Sequence, residues 1–322
     1  VHGILYTYDE KGRVKETSFI GPDGEVRGNK KGSAIKSREY DDADNFVKIS
    51  YFTSGRTPSH DGNNVAVVTF SHDVYGNTIE EKYFDSKGTP VIRTDAYVHG
   101  HKYEYDDNGH RIKETNLGID GKPSFTTSGY VAELMSYDDN GYVSEIKFVD
   151  ETDNLVDITG SISFARLTLK NDAKGNTLEN TAYDKNDKRI ESTAGVWRTV
   201  YEYDSIGNNL GEKYFDKDDK PTKFGGYQSS TKCVYDKFNR MVEKSYFDEK
   251  GTPTVCNSGF HKIVFEYNPQ GNLIKYSFFG KKAILTASDV AFALPAILCV
   301  LGFVIFYGNN GILNNILISM GL

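Results

Sequence analysis

The sequence has little of what builds helices or enzyme sites. It holds one Trp, three Met and three Cys among 322 residues, and no long helical pattern precedes Lys281. It contains no G-x-S-x-G nucleophile elbow, no P-loop and no G-x-G-x-x-G opening a helix. A disulfide framework is not indicated, and Cys233 and Cys256 are expected to be unpaired rather than bonded to each other. These absences predict a protein that is not an enzyme and has no cofactor.

Blocks of like charge are also missing. The formal net charge is −7, and 38 Lys and Arg residues are spread among 45 Asp and Glu residues. Nucleic-acid binding proteins derive most of their affinity from clustered basic residues on phosphates. The charge pattern therefore excludes nucleic acid as an expected partner.

What the chain does contain is a tandem repeat of about 32 residues. Its marker is a Tyr-Asp step or a close variant, with successive spacings of 32, 32, 33, 32, 34, 32, 32 and 32 residues. The marker position is occupied by Asp9, Asp41, Asp73, Asp106, Asp138, Asp172, Asp204, Asp236 and, in the ninth copy, Asn268. A constant period of this size predicts supersecondary units that each bury a face against the next copy.

Each marker is predicted to begin a hairpin turn. In the fourth copy Tyr103 and Tyr105 alternate with polar residues, which is the period-two pattern of a half-buried strand. Asp106 can accept a bond from the backbone two residues on, and Gly109 supplies the positive φ of a type I turn with a bulge. Five other copies share this Asp-to-Gly offset, and Asn239 takes the Gly position in the eighth. The strand after the turn alternates poorly, so the pattern leaves its buried face undecided.

A second marker follows the first by 12 residues. It is an aromatic residue or Leu, often with Pro six residues further on, and five of the eight prolines occupy this slot. These pairs are Phe52–Pro58, Phe84–Pro90, Leu117–Pro123, Phe215–Pro221 and Phe247–Pro253. Because Pro has no N–H to donate, ladder pairing is expected to end there.

These units predict an all-β tandem repeat array. Each copy is interpreted as a β-hairpin, a second turn and an irregular or strand-like linker, and about nine copies stack into a β-solenoid or an extended twisted sheet. A closed propeller is disfavoured, because its blades need roughly 40 or more residues each. The 22 Tyr and 19 Phe residues favour strands over helices, and 31 Gly residues suit frequent turns.

Two parts of the unit resemble known bacterial repeats. The pattern YxYDxxGN resembles the core of the YD (RHS-type) repeat, and YFDxxGxP is similar to the glucan- and choline-binding cell-wall repeat. Each likeness covers part of a unit and extends along most of the array. Choline-type repeats use paired tryptophans, whereas this chain has Trp197 alone. The resemblance implies a bacterial, surface-associated hairpin-repeat protein.

A row of tyrosines is the candidate binding surface. If the row is buried, it forms a stacked core in which each ring packs on the next copy. If it is exposed, it forms a stripe suited to flat sugars or to a protein strand. His72 and Asn171 interrupt the series. Its members are Tyr8, Tyr40, Tyr105, Tyr137, Tyr203, Tyr235 and Tyr267.

Two other groups of polar residues bear on metal binding. His99, His101 and His110 form the only local histidine cluster, and surface histidines on a polar strand explain it more simply than zinc. The acidic turns at Asp106 and Asp138 resemble calcium loops but lack their ligand spacing. Turn hydrogen bonds explain these aspartates better, so no metal site is predicted.

An apolar segment follows the repeats. From Ala283 to Tyr307 only Asp289 is charged, and the 18 residues from Val290 to Tyr307 carry no charge. This length predicts a transmembrane helix over residues 283–307. Its anchoring residues, including a proline at which a kink is expected, are Lys281, Lys282, Asp289, Pro295 and Tyr307. Residues 308–322 are then a short apolar tail or the start of a second membrane segment.

The predicted organisation is a hairpin array over residues 1–282, the helix and the tail. The protein is expected to be integral to a membrane. The positive-inside rule applied to Lys281 and Lys282 favours a cytoplasmic array. The similarity of the repeats to those of secreted proteins and the N-terminal Val1 favour an extracytoplasmic array, which is the location that we expect.

The function expected from this organisation is that of a non-enzymatic binding or scaffold surface held at a membrane. Its partner would be an integral-membrane or surface protein, or a glycan or cell-wall polymer. The alternative is an accessory repeat domain or subunit of a larger membrane enzyme, transporter or assembly.

Overall fold

The structure, a computed structural model, describes residues 3–29, 32–159 and 163–280 and the backbone of Ile284–Leu285. The chain divides into two compact units, Val1–Met135 with Phe148–Val156, and Ser136–Lys147 with Asp157–Leu322. In the described part of each unit every regular element is a β-strand, and consecutive strands pair antiparallel. The prediction of an all-β hairpin array is confirmed for both units.

The strands are β1 (Gly3–Tyr8), β2 (Val14–Ile20), β3 (Ile35–Tyr40), β4 (Phe46–Phe52), β5 (Val67–His72), β6 (Thr78–Phe84), β7 (Gly100–Tyr105), β8 (Arg111–Leu117), β9 (Ala132–Tyr137), β10 (Val143–Val149), β11 (Arg166–Asn171), β12 (Thr177–Tyr183), β13 (Arg198–Tyr203), β14 (Asn209–Phe215), β15 (Ser230–Tyr235), β16 (Met241–Phe247), β17 (Phe260–Tyr267), β18 (Leu273–Gly280) and β19 (Ile284–Leu285). The helix predicted over residues 283–307 lies outside the described residues, apart from β19. That two-residue strand pairs with Phe278 and Phe279 of β18.

The first turn of each copy is a five-residue loop with one residue in the left-handed region. In the third copy the Asp73 N–H donates to the Asn77 carbonyl at 3.0 Å, and the Gly76 N–H donates to the Asp73 carbonyl at 3.1 Å. The pairing register then shifts by one residue between Ser71 and His72, which is a β-bulge. The predicted bulged turn is therefore confirmed.

The left-handed position is also where the sequence predicted it. The φ angle is 81° at Gly109 and 62° at Asn239. Asp44 takes the same position in the second copy with a φ of 69°, which the Asp-to-Gly pattern did not reveal. Short polar side chains tolerate this region because they hydrogen-bond locally.

The second turn repeats the same loop, and here one prediction was wrong. Phe84 and Pro90 form an antiparallel bridge, and beyond it the Val91 N–H donates to the Tyr83 carbonyl at 3.1 Å. Pairing therefore continues past the proline instead of ending there. Pro90 occupies a non-hydrogen-bonded position of the ladder, where no N–H is required.

A third turn brings the chain to the next copy and links neighbouring hairpins. Ala66, directly before β5, accepts a hydrogen bond from the Tyr51 N–H at 3.0 Å and donates one to the Phe84 carbonyl at 2.9 Å. One buried residue thus joins the second strand of its own copy to that of the copy before. Equivalent buried residues are Ala34, His99, Val131, Trp197 and Ser229.

In the second strand of a copy, a side chain is buried according to its distance from the end of the strand, and buried and exposed residues do not alternate. In β8, Ile112 is 37% exposed, whereas the last three residues, Thr115 to Leu117, are all buried. The second and third turns cover this end of the strand, so residues of either parity are enclosed. The apolar core lies there in each unit. In one unit it includes Ile49, Val65, Val68, Tyr83 and Val98, and in the other Cys256, Phe260, Ile263, Phe265 and Phe278.

Candidate functional site

The tyrosines of the candidate stripe all lie at the last residue of the first strand of a copy. Tyr8 is 59% exposed, and the other six are half-buried. The row is therefore neither the fully enclosed core nor the fully exposed stripe that the sequence left as alternatives.

The tyrosine hydroxyls join one copy to the one before it. Four of them donate to the carbonyl of the residue that begins the second strand of the preceding hairpin. These hydrogen bonds are Tyr40 to Val14 at 2.9 Å, Tyr105 to Thr78 at 2.7 Å, Tyr235 to Asn209 at 3.0 Å and Tyr267 to Met241 at 2.9 Å. The acceptor residue pairs with the last residue of the first strand and directly precedes the residue left unpaired by the register shift. The tyrosine therefore occupies the point where the ladder of the preceding hairpin is disrupted.

The two interruptions of the series behave differently. Asn171 keeps the link, because its side-chain amide donates to the Val143 carbonyl at 2.8 Å. His72 replaces it by packing, and its ring lies edge-on to Phe46 with the ring centres 6.2 Å apart. One interruption therefore keeps the hydrogen bond without the tyrosine ring, and the other keeps a ring without the hydrogen bond.

The carboxylate of each first-turn aspartate is also occupied. In the third copy Asp73 Oδ1 accepts the N–H groups of Tyr75 and Asn77, both at 2.9 Å. Asp73 Oδ2 accepts the Asn77 side-chain amide, also at 2.9 Å. This arrangement explains why Asn follows Gly in the repeat, since its side chain completes the set of donors around the carboxylate.

Arginine takes the place of that Asn in two copies, and it contacts a tyrosine ring of the next copy as well as the aspartate. Arg240 Nε donates to Asp236 Oδ2 at 2.8 Å, and its guanidinium carbon lies 4.7 Å from the centre of the Tyr267 ring. Side-chain hydrogen bonds from Asn77 and Arg240 lower the pKa of Asp73 and Asp236, respectively, below the ordinary value of 3.8. These carboxylates are thus ionised and committed to the turns.

The three clustered histidines have separate partners. His99 is buried and its Nδ1 lies 3.0 Å from the Val91 carbonyl, whereas His110 Nδ1 lies 3.0 Å from Asp106 Oδ2. His101 Nδ1 lies 3.1 Å from Glu114 Oε1. Across the residues that the structure describes, no three His, Cys, Asp or Glu side chains are grouped so that they could hold a metal ion.

Cysteine chemistry is equally limited in the described part of the chain. Cys233 and Cys256 are both buried and free, as expected for unpaired thiols. Burial raises the pKa of the Cys233 thiol, which disfavours the reactive thiolate.

Exposed apolar side chains at the tips of some first turns were not identified from the sequence. Val74 is 92% exposed and Tyr75 is 87% exposed. Ile206 and Phe238, at the tips of the seventh and eighth copies, are exposed as well. They occupy the two variable positions of Asp-x-x-Gly, whose side chains the loop does not use. Apolar letters at those positions were the available signal.

The proposed membrane anchors Lys281, Lys282, Asp289, Pro295 and Tyr307 lie outside the described residues. Among the residues that are described, no helix has the length and apolar character required to cross a membrane.

Comparison with known proteins does not assign the chain to a family. No family model and no curated protein matches it. The Tc holotoxin pore of Photorhabdus luminescens shows 14% identity and a TM-score of 0.36, over 87% of this chain and 13% of that one. The TcdB2–TccC3 complex gives 14% and 0.35, over 88% of this chain and 15% of the other.

A porin-like protein from Bacteroides uniformis shows 13% identity and a TM-score of 0.28, over 88% of this chain and 87% of that one. The chain thus spans only a small part of the toxin chains that it matches. TM-scores this low establish neither a shared fold nor a shared function. The likeness to YD repeats remains a resemblance of motifs.

The tyrosine link gives a direct prediction for Tyr105→Phe. The change removes the hydrogen bond to the Thr78 carbonyl and should lower the free energy of unfolding by about 1 kcal/mol. Urea denaturation followed by far-UV circular dichroism measures this difference. Tyr8→Phe is the matched control, because the Tyr8 hydroxyl has no hydrogen-bond partner among the described residues. Equal effects of the two substitutions would show that the hydroxyl link is not stabilising.

Proposed function

We propose that the chain is a membrane-anchored, non-enzymatic repeat protein whose array offers a binding surface to another surface protein or to a cell-surface polymer. The exposed apolar side chains at the first-turn tips, above all Val74 and Tyr75, are the observation that carries this proposal. Exposed apolar groups that the fold does not need are typical of contact sites.

The chemistry of the repeat supports a binding role over a catalytic one. The first-turn aspartates are held by turn amides, and four tyrosine hydroxyls are bound to backbone carbonyls. The residues that recur along the array are therefore used to build the frame. Variation is concentrated at the tips, where a change of side chain leaves the hairpin intact. A constant frame with variable exposed positions is the arrangement expected of a recognition surface.

Membrane attachment rests on the sequence alone. The 18 uncharged residues from Val290 to Tyr307 would reach about 27 Å as a helix, close to the hydrocarbon thickness of a bilayer. We place the array outside the cytoplasm and assign its partner to that compartment.

The binding role is tested with the full-length protein in detergent micelles. Membrane proteins and cell-wall fragments are passed over the immobilised protein, and the retained species is identified and its affinity measured. The double variant V74S/Y75S should weaken that affinity at least tenfold, because it removes an aromatic and an aliphatic contact worth about 1–2 kcal/mol together. The matched control is D42S/A43S, at the same two turn positions of the preceding copy, which are also exposed.

The control variant should bind like the wild type, and both variants should keep its circular dichroism spectrum. Retention of a protein but no polymer, or the reverse, identifies the class of partner. If the wild type retains neither, or if V74S/Y75S binds as tightly as the control, the tips are not the recognition surface.

The anchor is tested by truncation before Lys281. The shortened chain should leave the membrane fraction and remain soluble and β-rich, because it retains the hairpins and loses the apolar segment. Sedimentation of membranes after a high-salt wash, with the full-length chain as control, measures this. A truncated chain that still sediments with membranes, or a full-length chain that is soluble without detergent, would contradict the anchor.

A further inference from the structure

The fourth and fifth copies contain a buried carboxyl group that no hydrogen bond satisfies. Glu133, in β9, is 7% exposed, and its Oε1 has no hydrogen-bond partner among the described residues. A buried polar atom without a partner is costly, and an ionised one is more so. The aspartates of the turns, by contrast, are each supplied with several donors. Glu133 therefore departs from the rule that the rest of the frame follows.

The residue opposite Glu133 in the sheet carries a second carboxylate. Glu114 of β8 stands directly opposite it in the antiparallel register, so both side chains point to the same face with their Cβ atoms about 5 Å apart. Like charges in directly opposed positions destabilise a sheet. The two groups can lie there together only if one of them is neutral or well compensated.

The neighbouring basic side chains contact Glu114 and not Glu133. Arg111 Nη1 lies 2.9 Å from Glu114 Oε2, and His101 Nδ1 lies 3.1 Å from Glu114 Oε1. Tyr103, opposite Glu114 on β7, also faces this group. Glu133 has no ion pair of its own in the described part of the chain, and the third turn adds only the phenol Tyr130 beside it.

The two carboxyl groups consequently differ in their affinity for a proton. Burial raises the pKa of Glu133 to about 7, the charge of Glu114 adds to this, and Arg111 partly opposes it. Burial works in the same direction on Glu114, but His101 and Arg111 outweigh it and lower the pKa of Glu114. As the pH falls, Glu133 therefore binds a proton before Glu114 does.

We propose that Glu133 makes the pairing of β8 with β9 a pH-sensitive joint, closed while Glu133 is protonated and loosened when it releases its proton to solvent. The joint comprises the pairs Lys113 with Leu134, Glu114 with Glu133 and Thr115 with Ala132. An ionised Glu133 would face Glu114 without a cation of its own. Local opening lets its charge reach water, so ionisation and opening are coupled.

The direction of the effect follows from the raised pKa. A carboxyl group that binds its proton more tightly in the closed state stabilises that state fully below the ordinary Glu value of 4.5. This stabilisation is lost as the pH rises from 4.5 to about 7, and it stays lost above that. The opening constant should rise on the order of a hundredfold over this range.

Amide hydrogen exchange of the full-length protein tests the joint, with rates corrected for their intrinsic pH dependence. The reporting amide is that of Asn116, which donates to the Val131 carbonyl across the joint. Its opening constant should rise about a hundredfold between pH 4.5 and about pH 8 in the wild type. In Glu133→Gln it should stay within about threefold, since the neutral amide cannot ionise. Glu104→Gln, at an exposed position of β7, should behave like the wild type.

A direct titration keeps the test independent of how well the variants fold. Carbon NMR of the side-chain carboxyl groups in the wild type should show Glu133 titrating near neutrality. In Glu114→Gln the midpoint should move downward, because the opposing charge is gone. A Glu133 midpoint at the ordinary glutamate value, or opening constants that rise equally in the wild type and Glu133→Gln, would overturn the proposal.

Discussion

The five-residue loop held by one aspartate carboxylate is the constraint on which the rest of the fold depends. Its left-handed fourth residue and its bulge shift the ladder by one residue, as between Ser71 and His72. That shift fixes which residues of the two strands oppose each other, and so which of them face the next copy. In four copies a tyrosine hydroxyl bonds to the carbonyl directly before that shift in the preceding hairpin. Loop, register and link between copies are thus consequences of one local hydrogen-bonding pattern, in keeping with short-range recognition between neighbouring repeats.

The sequence was sufficient where local chemistry determines structure. The forward bond of Asp106, with the Asn108 N–H at 2.9 Å from its Oδ1, and the left-handed Gly109 and Asn239 could all be predicted from turn preferences. The end of strand pairing was not predictable in the same way. Pro90 was expected to end the pairing, but it occupies a non-hydrogen-bonded site, and the sequence does not distinguish such sites from hydrogen-bonded ones. The sequence also did not predict which residues of β8 are buried. Its enclosure comes from turns that fold back over one end of the strand, and period-two patterns do not record such contacts.

The candidate site could be predicted in position but not in role. The tyrosine row was evident as a series, yet only the structure shows that the hydroxyl of Tyr105 bonds to a neighbouring hairpin and that Asn171 preserves the same link. Val74 and Tyr75 occupy turn positions that the loop leaves free, so their apolar side chains were the available signal and the turn pattern itself did not predict them. Glu133 is the converse case, a buried acid without a hydrogen bond in a frame whose first-turn aspartates are all hydrogen-bonded. Departures of this kind from local consistency are where functional constraints are expected.

The central claim is that the first-turn aspartates are ionised hydrogen-bond acceptors that close the loops. Burial alone would raise the pKa of these carboxyl groups, but the hydrogen bonds from turn amides and following side chains outweigh it and lower the pKa in all eight copies that carry Asp. The most direct measurement is a carbon NMR titration of these eight carboxyl groups in the folded protein and in urea. Each folded-state midpoint should lie below that of the same residue in the denatured chain, so that stability is lost as the pH falls through it. Folded and denatured midpoints that coincide would mean that the aspartates do not hold the turns.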